Sequence, residues 1–534
     1  MDQHLKRAIV SGNTSLGIEF GSTRIKAVMI NNEFEIIASS SYDWENQWIN
    51  HNWTYHAHEM IQGLQEVYAR LKKQVMKNYG VSLHRIGSIG ISGMMQGYLV
   101  LDKAAALLVP FRTWRNLTTS TAAASLTREF QYKIPERWSI AHLYQAILNN
   151  EEHVKNIKYM TTLSGYIHFL LTGRKVIGVG DASGMFPVNR STRGYNEEMM
   201  EQFNELISRN DYPWKLEDIL PSVYSAGEHA GYLHDVGANL LDPDGDLQAG
   251  IPFCPPEGDA GTGMVAANSI QTCSGSISAG TSIFAMIVLD KDIGVYPEID
   301  MVTTPDGRPV GMVLANNCTS DINAWVRLFH EFCEALGYKA DTSHLFHVLF
   351  NKALEAEPDG GGLLSYGYYS GEKITGITQG RPLFVRSPES RFTLANFMRT
   401  HLFSAFGALK LGMDILTERE DVKIDHILAH GGLFKTPLIG QKMCAAALNV
   451  PVSVMPTAGE GGAWGIAVLA SYMMYKENNE SLTDYLNLKV FNDVEAIRID
   501  PDISDVNGFA RFMERYTKGL AIEQAAVDHY RGKG

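Results

Sequence analysis

Leu16-Gly17-Ile18-Glu19-Phe20-Gly21-Ser22-Thr23-Arg24-Ile25-Lys26-Ala27-Val28-Met29-Ile30 reads as a strand, a tight glycine turn and a second strand. The same pattern returns in the second half as Gly275-Ser276-Ile277-Ser278-Ala279-Gly280-Thr281-Ser282-Ile283-Phe284-Ala285-Met286-Ile287-Val288. Each copy sets Gly followed by hydroxyl residues at a bend between two apolar, β-prone runs. Without a Cβ, glycine lets the backbone approach a phosphate, whose oxygens the N–H groups and the Ser or Thr hydroxyls then cradle. Gly21, Ser22 and Thr23 form one candidate cradle, and Gly280, Thr281 and Ser282 the other. One such turn per half predicts two related α/β domains gripping one polyphosphate.

The bulk properties agree with two domains. A chain of 534 residues is too long for a single core. Its 45% hydrophobic and 20% charged content is that of a globular protein. A net charge of −13 argues against a broad nucleic-acid footprint. The five cysteines include no C-x-x-C pair, which fits thiols in a reducing cytosol. The polar start of the chain lacks a signal-peptide core, and no apolar run is long enough to span a bilayer. A cytoplasmic protein with no membrane association is expected.

Along the chain, a helix is predicted over His58–Tyr79, and Ile86–Ile91 reads as a short buried strand. Residues 121–175 read as mainly helical, and residues 190–250 as irregular. Small residues dominate Gly258–Ser276, and the domain boundary is placed there, giving domains 1–268 and 269–534. Leu394, Phe397, Met398, Leu402, Ala405, Leu409, Met413 and Leu416 recur at helical spacing. Ile427–Ala429 is a strand ending in Gly431-Gly432, after which Thr436 offers an N-cap and Pro437 a first helical position. Val450, Val452 and Val454 form the next strand.

Two segments bear chemistry. Glu257-Gly258-Asp259-Ala260-Gly261-Thr262-Gly263 puts a carboxylate among very small residues, so another molecule can approach Asp259. Asp259 is then either a base for a hydroxyl, an orienter of metal-bound water, or a turn residue bonding its own backbone. Ala429-His430-Gly431-Gly432-Leu433-Phe434-Lys435 leaves bare backbone between a strand and a helix, which suits a flat ring or a phosphate. His51, His56 and His58 have no cysteine at ligand spacing, and no zinc is expected there.

In order, these motifs resemble the FGGY family of carbohydrate kinases, within the actin-like and hexokinase-like ATPase superfamily. The resemblance runs from Leu16 to about Ala470. Ile18–Thr23 with Lys26 is similar to the first phosphate motif, and Gly280-Thr281-Ser282 to the second. Ile91-Ser92-Gly93-Met94-Met95-Gln96-Gly97 with Leu101-Asp102, and Pro110–Asn116, are similar to the sugar-side segments. Gly180-Asp181-Ala182-Ser183-Gly184 matches a landmark, and Tyr369-Ser370-Gly371-Glu372 a similar run. His430–Leu438 with Glu460–Gly465 is similar to the adenosine-binding region.

The resemblance implies two RNase H-like α/β domains around a central cleft. The sugar sits on the first, ATP mainly on the second, with Mg²⁺ between. It casts Asp259 as general base and substrate contact. Met95, Gln96, Trp114, Arg115 and Asn116 become sugar contacts, and Glu19 and Asp259 metal-side carboxylates. Gly21, Ser22, Thr23, Lys26, Gly280, Thr281, Ser282, Gly431, Gly432 and Lys435 fall to the nucleotide. The implied partners are a small sugar and ATP, and a homodimer, common among relatives, is compatible with the resemblance.

Three positions depart from the family pattern. Glu19 stands for aspartate, Met95-Gln96-Gly97 for Met-His-Gly or Arg-Glu-Thr, and Trp114-Arg115-Asn116-Leu117-Thr118 for Trp-x-Asp-x-Arg. The resulting expectation is a kinase of a ketopentose, L-ribulose or D-xylulose, with glycerol, hexuloses, rhamnulose and sugar acids as the other acceptors of the class. An actin-like ATPase or sugar sensor, and a catalytically impaired relative, are the competing readings.

Overall fold

The computed structural model describes residues 3–339, 341–455, 461–494 and 496–530. Glu460, in the adenosine-side run, lies outside them. The chain forms two compact units. The first comprises Met1–Ile270, Met301–Val310 and Glu460–Asp493, and the second Gln271–Asp300, Gly311–Gly459 and Val494–Gly534.

In the first unit, β1 (Thr14–Phe20) and β2 (Arg24–Asn31) are the two arms of the first quoted stretch, paired antiparallel with Glu19 opposite Lys26. β3 (Ile36–Asp43) continues the meander. A short hairpin follows, β4 (Gln47–Ile49) with β5 (Asn52–Thr54). The Ala57–Tyr79 helix, predicted from His58, buries Leu64, Val67, Leu71 and Val75 at helical spacing. β6 (Ser88–Gly93), buried at every position, adds in parallel to β1, and β7 (Glu257–Gly258) in parallel to β6. The sheet order is therefore β7-β6-β1-β2-β3.

One face of this sheet carries the Gly461–Tyr475 helix, which is buried from Gly462 to Tyr472 and apolar on every side. The approach is backbone to backbone. A Cβ on Gly17 would lie 2.0 Å from the Ala463 carbonyl oxygen, and one on Gly465 would lie 2.1 Å from that of Thr262. Glycine is thus required on both the strand and the helix.

The second unit repeats the plan. β8 (Ser274–Ala279) and β9 (Ile283–Val288) form its glycine hairpin. With β10 (Ile299–Thr303), β11 (Pro309–Ala315), β12 (His426–His430), β13 (Val452–Val454) and β14 (Ile497–Ile499), the order is β10-β11-β9-β8-β12-β13-β14. In both sheets an antiparallel hairpin is extended by parallel strands beside its first member, and in the second sheet β14 then adds antiparallel to β13. The Leu394–Asp414 helix is buried along nearly its whole length.

Two local expectations change. Residues 190–250 contain helices at Glu197–Leu206, Leu216–Ile219 and Asp235–Leu241. The helix expected from Pro437 begins at Ile439, after Leu438 in a left-handed conformation (φ 70°). A 3₁₀ turn over Gly432–Phe434 uses the preceding backbone first, so the chain must reverse at Leu438 before the helix starts.

Candidate active site

Asp259 opens the Asp259–Ala266 helix directly after β7, so its carboxylate lies in the first turn, where the helix dipole favours negative charge. Its Oδ1 accepts the Met95 N–H at 3.4 Å, which sets the base against the sugar-side loop after β6. Burial raises its pKa to about 6, opposed by the Met95 and Ala260 N–H groups.

Glu19, at the end of β1, faces the first turn of the Gly461–Tyr475 helix. Its Oε2 accepts the Ala463 N–H at 3.2 Å. Burial, then repulsion from Asp259, raises its pKa to about 7, while the Ala463 N–H, Lys26 and the Gly462 N–H pull it down. The extra methylene over aspartate is therefore spent reaching a helix N-terminus. Thr262 ties the Asp259 backbone to β6. Its Oγ1 lies 2.9 Å from Ser92 Oγ and 3.2 Å from the Asp259 carbonyl oxygen.

The sugar-side residues separate into two groups. Met95 and Gln96 are nearly buried, and Gln96 is left-handed (φ 70°). The carboxamide of Gln96 forms no hydrogen bond among the described residues and is free to meet a ligand. Tyr98 then pairs with Arg112, which joins this loop to the second segment. There Trp114 is exposed, and Arg115 lies 4.5 Å from the Trp53 ring centroid with Nη1 3.1 Å from Asn46 Oδ1.

Asn116 behaves differently. It is 2% exposed, and its amide is fully used. Oδ1 accepts the Trp53 N–H at 2.8 Å, while Nδ2 donates to the carbonyls of Trp53 (2.8 Å) and Thr113 (3.0 Å). Asn116 locks the β4–β5 hairpin to the sugar-side segment.

The first glycine turn is braced by aromatics that the motif reading missed. Trp44 Nε1 donates to the Gly21 carbonyl at 2.7 Å and Tyr55 Oη to that of Ser22 at 2.5 Å, with the two rings stacked 4.1 Å apart. The Thr23 carbonyl accepts the Trp44 N–H at 3.2 Å. The only sequence signal was the aromatic richness of Tyr42–Tyr55.

A buried acid pair behind the base was also missed. Glu257 accepts the N–H groups of Gly180 (3.1 Å), Asp181 (2.9 Å) and Gly258 (3.3 Å). Asp181 Oδ2 accepts the Thr162 and Ser164 hydroxyls, while Oδ1 is buried with no hydrogen-bond partner among the described residues. Burial raises Asp181 to about 7 and, with repulsion from Asp181, Glu257 to about 8. The Gly178-Val179-Gly180-Asp181 spacing was the available clue, since a Cβ on Gly178 or Gly180 would collide with the Glu257 carboxylate.

In the second unit, Gly280, Thr281 and Ser282 cap the β8–β9 hairpin. The Gly280 carbonyl accepts the Thr319 N–H and hydroxyl, and that of Thr281 the Cys318 N–H, so the backbone is fixed from behind. A Cβ on Gly280 would meet nothing within 4 Å. Gly431 (φ 103°) packs its Cα against Ala279, and Gly432 and Lys435 are exposed beside it. The second unit thus brings both of its candidate nucleotide segments to the end of β8. Glu372, of the Tyr369–Glu372 run, is buried and accepts the Asn316 N–H at 2.9 Å.

A duplicated sheet with a glycine hairpin in each copy, and buried carboxylates in the first, defines the actin-like and hexokinase-like ATPase class. Residues 14–265 match the N-terminal domain, and residues 275–474 the C-terminal domain, of the FGGY family of carbohydrate kinases. The chain belongs to this family and is an ATP-dependent sugar kinase. It is 22% identical to a xylulose kinase of Haemophilus influenzae, over 95% of this chain and 99% of that protein. Two solved structures share the fold. A xylulose kinase from Rhodospirillum rubrum has a TM-score of 0.76 at 16% identity, covering 97% of this chain and 100% of that one. A gluconate kinase from Lactobacillus acidophilus has a TM-score of 0.76 at 17% identity, covering 97% and 99%. Among the described residues, no helix is long and apolar enough to cross a membrane.

Proposed function

We propose that this kinase phosphorylates a ketopentose, D-xylulose or L-ribulose, with Asp259 as general base. The Met95 N–H to Asp259 contact carries this reading, because it puts a half-buried carboxylate of raised proton affinity against the loop that reads the sugar. A base whose pKa lies near neutrality both accepts a proton and releases it readily. Gln96, with its unpaired carboxamide, and Trp114, with its exposed ring, take the sugar. The xylulose kinase relative and the Met95-Gln96-Gly97 loop favour a pentulose as acceptor.

The first domain, 1–268, is assigned the sugar and the base, and the second, 269–534, the nucleotide. Gly280, Thr281, Ser282, Gly431, Gly432 and Lys435 hold ATP, and Gly21, Ser22, Thr23 and Lys26 complete the phosphate contacts. Glu19 and Asp259 fit Mg²⁺. They are hard oxygen donors: burial raises the affinity of both for positive charge, and the Asp259 charge raises that of Glu19 further. When bound, Mg²⁺ would offset phosphate charge. The five cysteines form no disulfide, which supports a cytoplasmic location.

ADP release with Mg-ATP, measured across ketopentoses, ketohexoses, glycerol and sugar acids, tests this assignment. Turnover with one pentulose, abolished in Asp259→Asn, is expected. Release indifferent to every sugar, or unaffected by Asp259→Asn, would refute it.

A further inference from the structure

The glycine turn of the second unit has one open side and one held side. A Cβ on Gly280 would meet nothing within 4 Å, so a ligand can reach that face. Among the described residues, the hydrogen bonds that reach the Gly280 and Thr281 carbonyls from outside the hairpin come from Cys318 and Thr319. The Cys318 N–H meets the Thr281 carbonyl at 3.0 Å, and the Gly280 carbonyl accepts the Thr319 N–H at 3.1 Å and hydroxyl at 2.8 Å. Both residues lie in the link 316–319, between β11 and the Ser320–Ala335 helix.

That link is gripped by a fully buried acid, Glu372. Its Oε2 accepts the Asn316 N–H at 2.9 Å and Asn317 Nδ2 at 3.1 Å. Asn317 Oδ1 accepts the N–H groups of Tyr369 (2.9 Å) and Ser370 (3.0 Å), and Asn316 Nδ2 donates to the Gly371 carbonyl at 2.8 Å. The Glu372 backbone is clamped in turn, because its N–H and carbonyl exchange bonds with Ile377 at 2.7 and 3.1 Å. Burial raises the pKa of Glu372, opposed by the Asn317 side chain and the Asn316 N–H. No ion pair reaches it among the described residues. A buried acid with no cation depends on its hydrogen-bond donors, and here the donors belong to the link behind the turn.

We propose that Glu372 is a positioning residue for the nucleotide, acting through Asn316 and Asn317 on the link whose Cys318 and Thr319 set the Gly280-Thr281 backbone. The proposal rests on the assignment of ATP to this turn. An N–H donor must stay within about 3.2 Å of a phosphate oxygen to bond it. A turn that loses its backing therefore loses ligand contacts while its strands stay paired.

Calorimetric titration of the full chain with Mg-ADP, and separately with D-xylulose, tests the role. Glu372→Ala should weaken Mg-ADP binding about tenfold and leave D-xylulose binding within about twofold of the parent. Glu372→Gln still offers an oxygen to Asn316 and Asn317 and should recover Mg-ADP binding to within about threefold. Thr319→Val, at the far end of the same contacts, should weaken it about fivefold. Should Glu372→Ala fail to fold, Asn317→Ala cuts the link with Glu372 in place, and the same split is expected. Mg-ADP affinity that is unchanged, that falls together with D-xylulose affinity, or that Glu372→Gln does not recover, would overturn the role. Gly280→Ala separates the role from the assignment beneath it. If it weakens Mg-ADP binding and Glu372→Ala does not, ATP stays on the turn and Glu372 loses its role; if neither does, both fall. If the parent binds no D-xylulose, the acceptor assignment fails while the Mg-ADP series and its Gln recovery still decide the role.

Discussion

Replacing Gly462 by alanine separates geometry from stability at Glu19. A Cβ there would lie 2.5 Å from Glu19 Oε1 and 2.7 Å from Thr262 Oγ1. Ordinary carbon contacts begin near 3.5 Å, so the carboxylate must retreat by about 1 Å. Thr262 cannot yield, because its hydroxyl is held by Ser92 and by the Gly258 and Asp259 carbonyls. The retreat breaks the Ala463 N–H bond and shifts the charge nearest Asp259. Helix propensity favours alanine by roughly 1 kcal/mol, which offsets much of the strain in the fold. A misplacement of about 1 Å costs on the order of 10²-fold in rate. The expected result is a urea midpoint close to the parent's with kcat/KM down about 100-fold. Activity within a few fold of the parent would refute the placement of Glu19.

Other expectations follow from single contacts. Asn116→Asp restores the family aspartate but turns a carboxylate oxygen toward two carbonyls, so it should destabilise by about 3 kcal/mol in urea titrations and raise acceptor KM; a stable, faster variant would contradict the locking role. Gly280→Ala should leave the unfolding midpoint unchanged and raise the ATP KM about tenfold, whereas Gly431→Ala, at φ 103° with its Cβ 2.4 Å from the Ala279 oxygen, should cost about 3 kcal/mol of stability. His142 is fully buried, has no hydrogen-bond partner among the described residues, and is lowered from 6.5 to about 3 by burial and then by Arg112. The folded state keeps it neutral while the unfolded chain protonates, so its contribution is present above pH 6.5 and is lost as pH falls toward 3, by about 2 kcal/mol at pH 5. His142→Leu should flatten this acid limb in urea titrations across pH, and an unchanged limb would exclude the effect.

The fold was legible wherever local pattern and global packing agree. The two glycine hairpins and the Leu394 periodicity declared themselves, because turn chemistry and apolar spacing act over a few residues. The site was legible only where a motif keeps its own side chains together, as at Gly258-Asp259. Asn116 reads like a sugar contact, yet it is spent on Trp53, a partner 63 residues away. The brace of Trp44 and Tyr55 under Gly21 and Ser22, and the grip of Glu257 on Gly180, join segments no periodicity links. The late start of the helix at Ile439 turns on one left-handed leucine, which no residue preference announces.

The Gly461–Tyr475 helix is made long after the sheet it covers. While the ribosome works through residues 271–459, β1 has nothing against Gly17 and β6 only the Cys254 sulfur against Gly90, since the other atoms that meet those glycines lie at Ala463, Ile466 and Ala467. A nascent chain released before that point exposes an apolar groove shaped for a specific helix. Truncation products are therefore expected to aggregate or recruit chaperones, and a synthetic 461–475 peptide is the natural reagent to rescue a fragment that stops short of it.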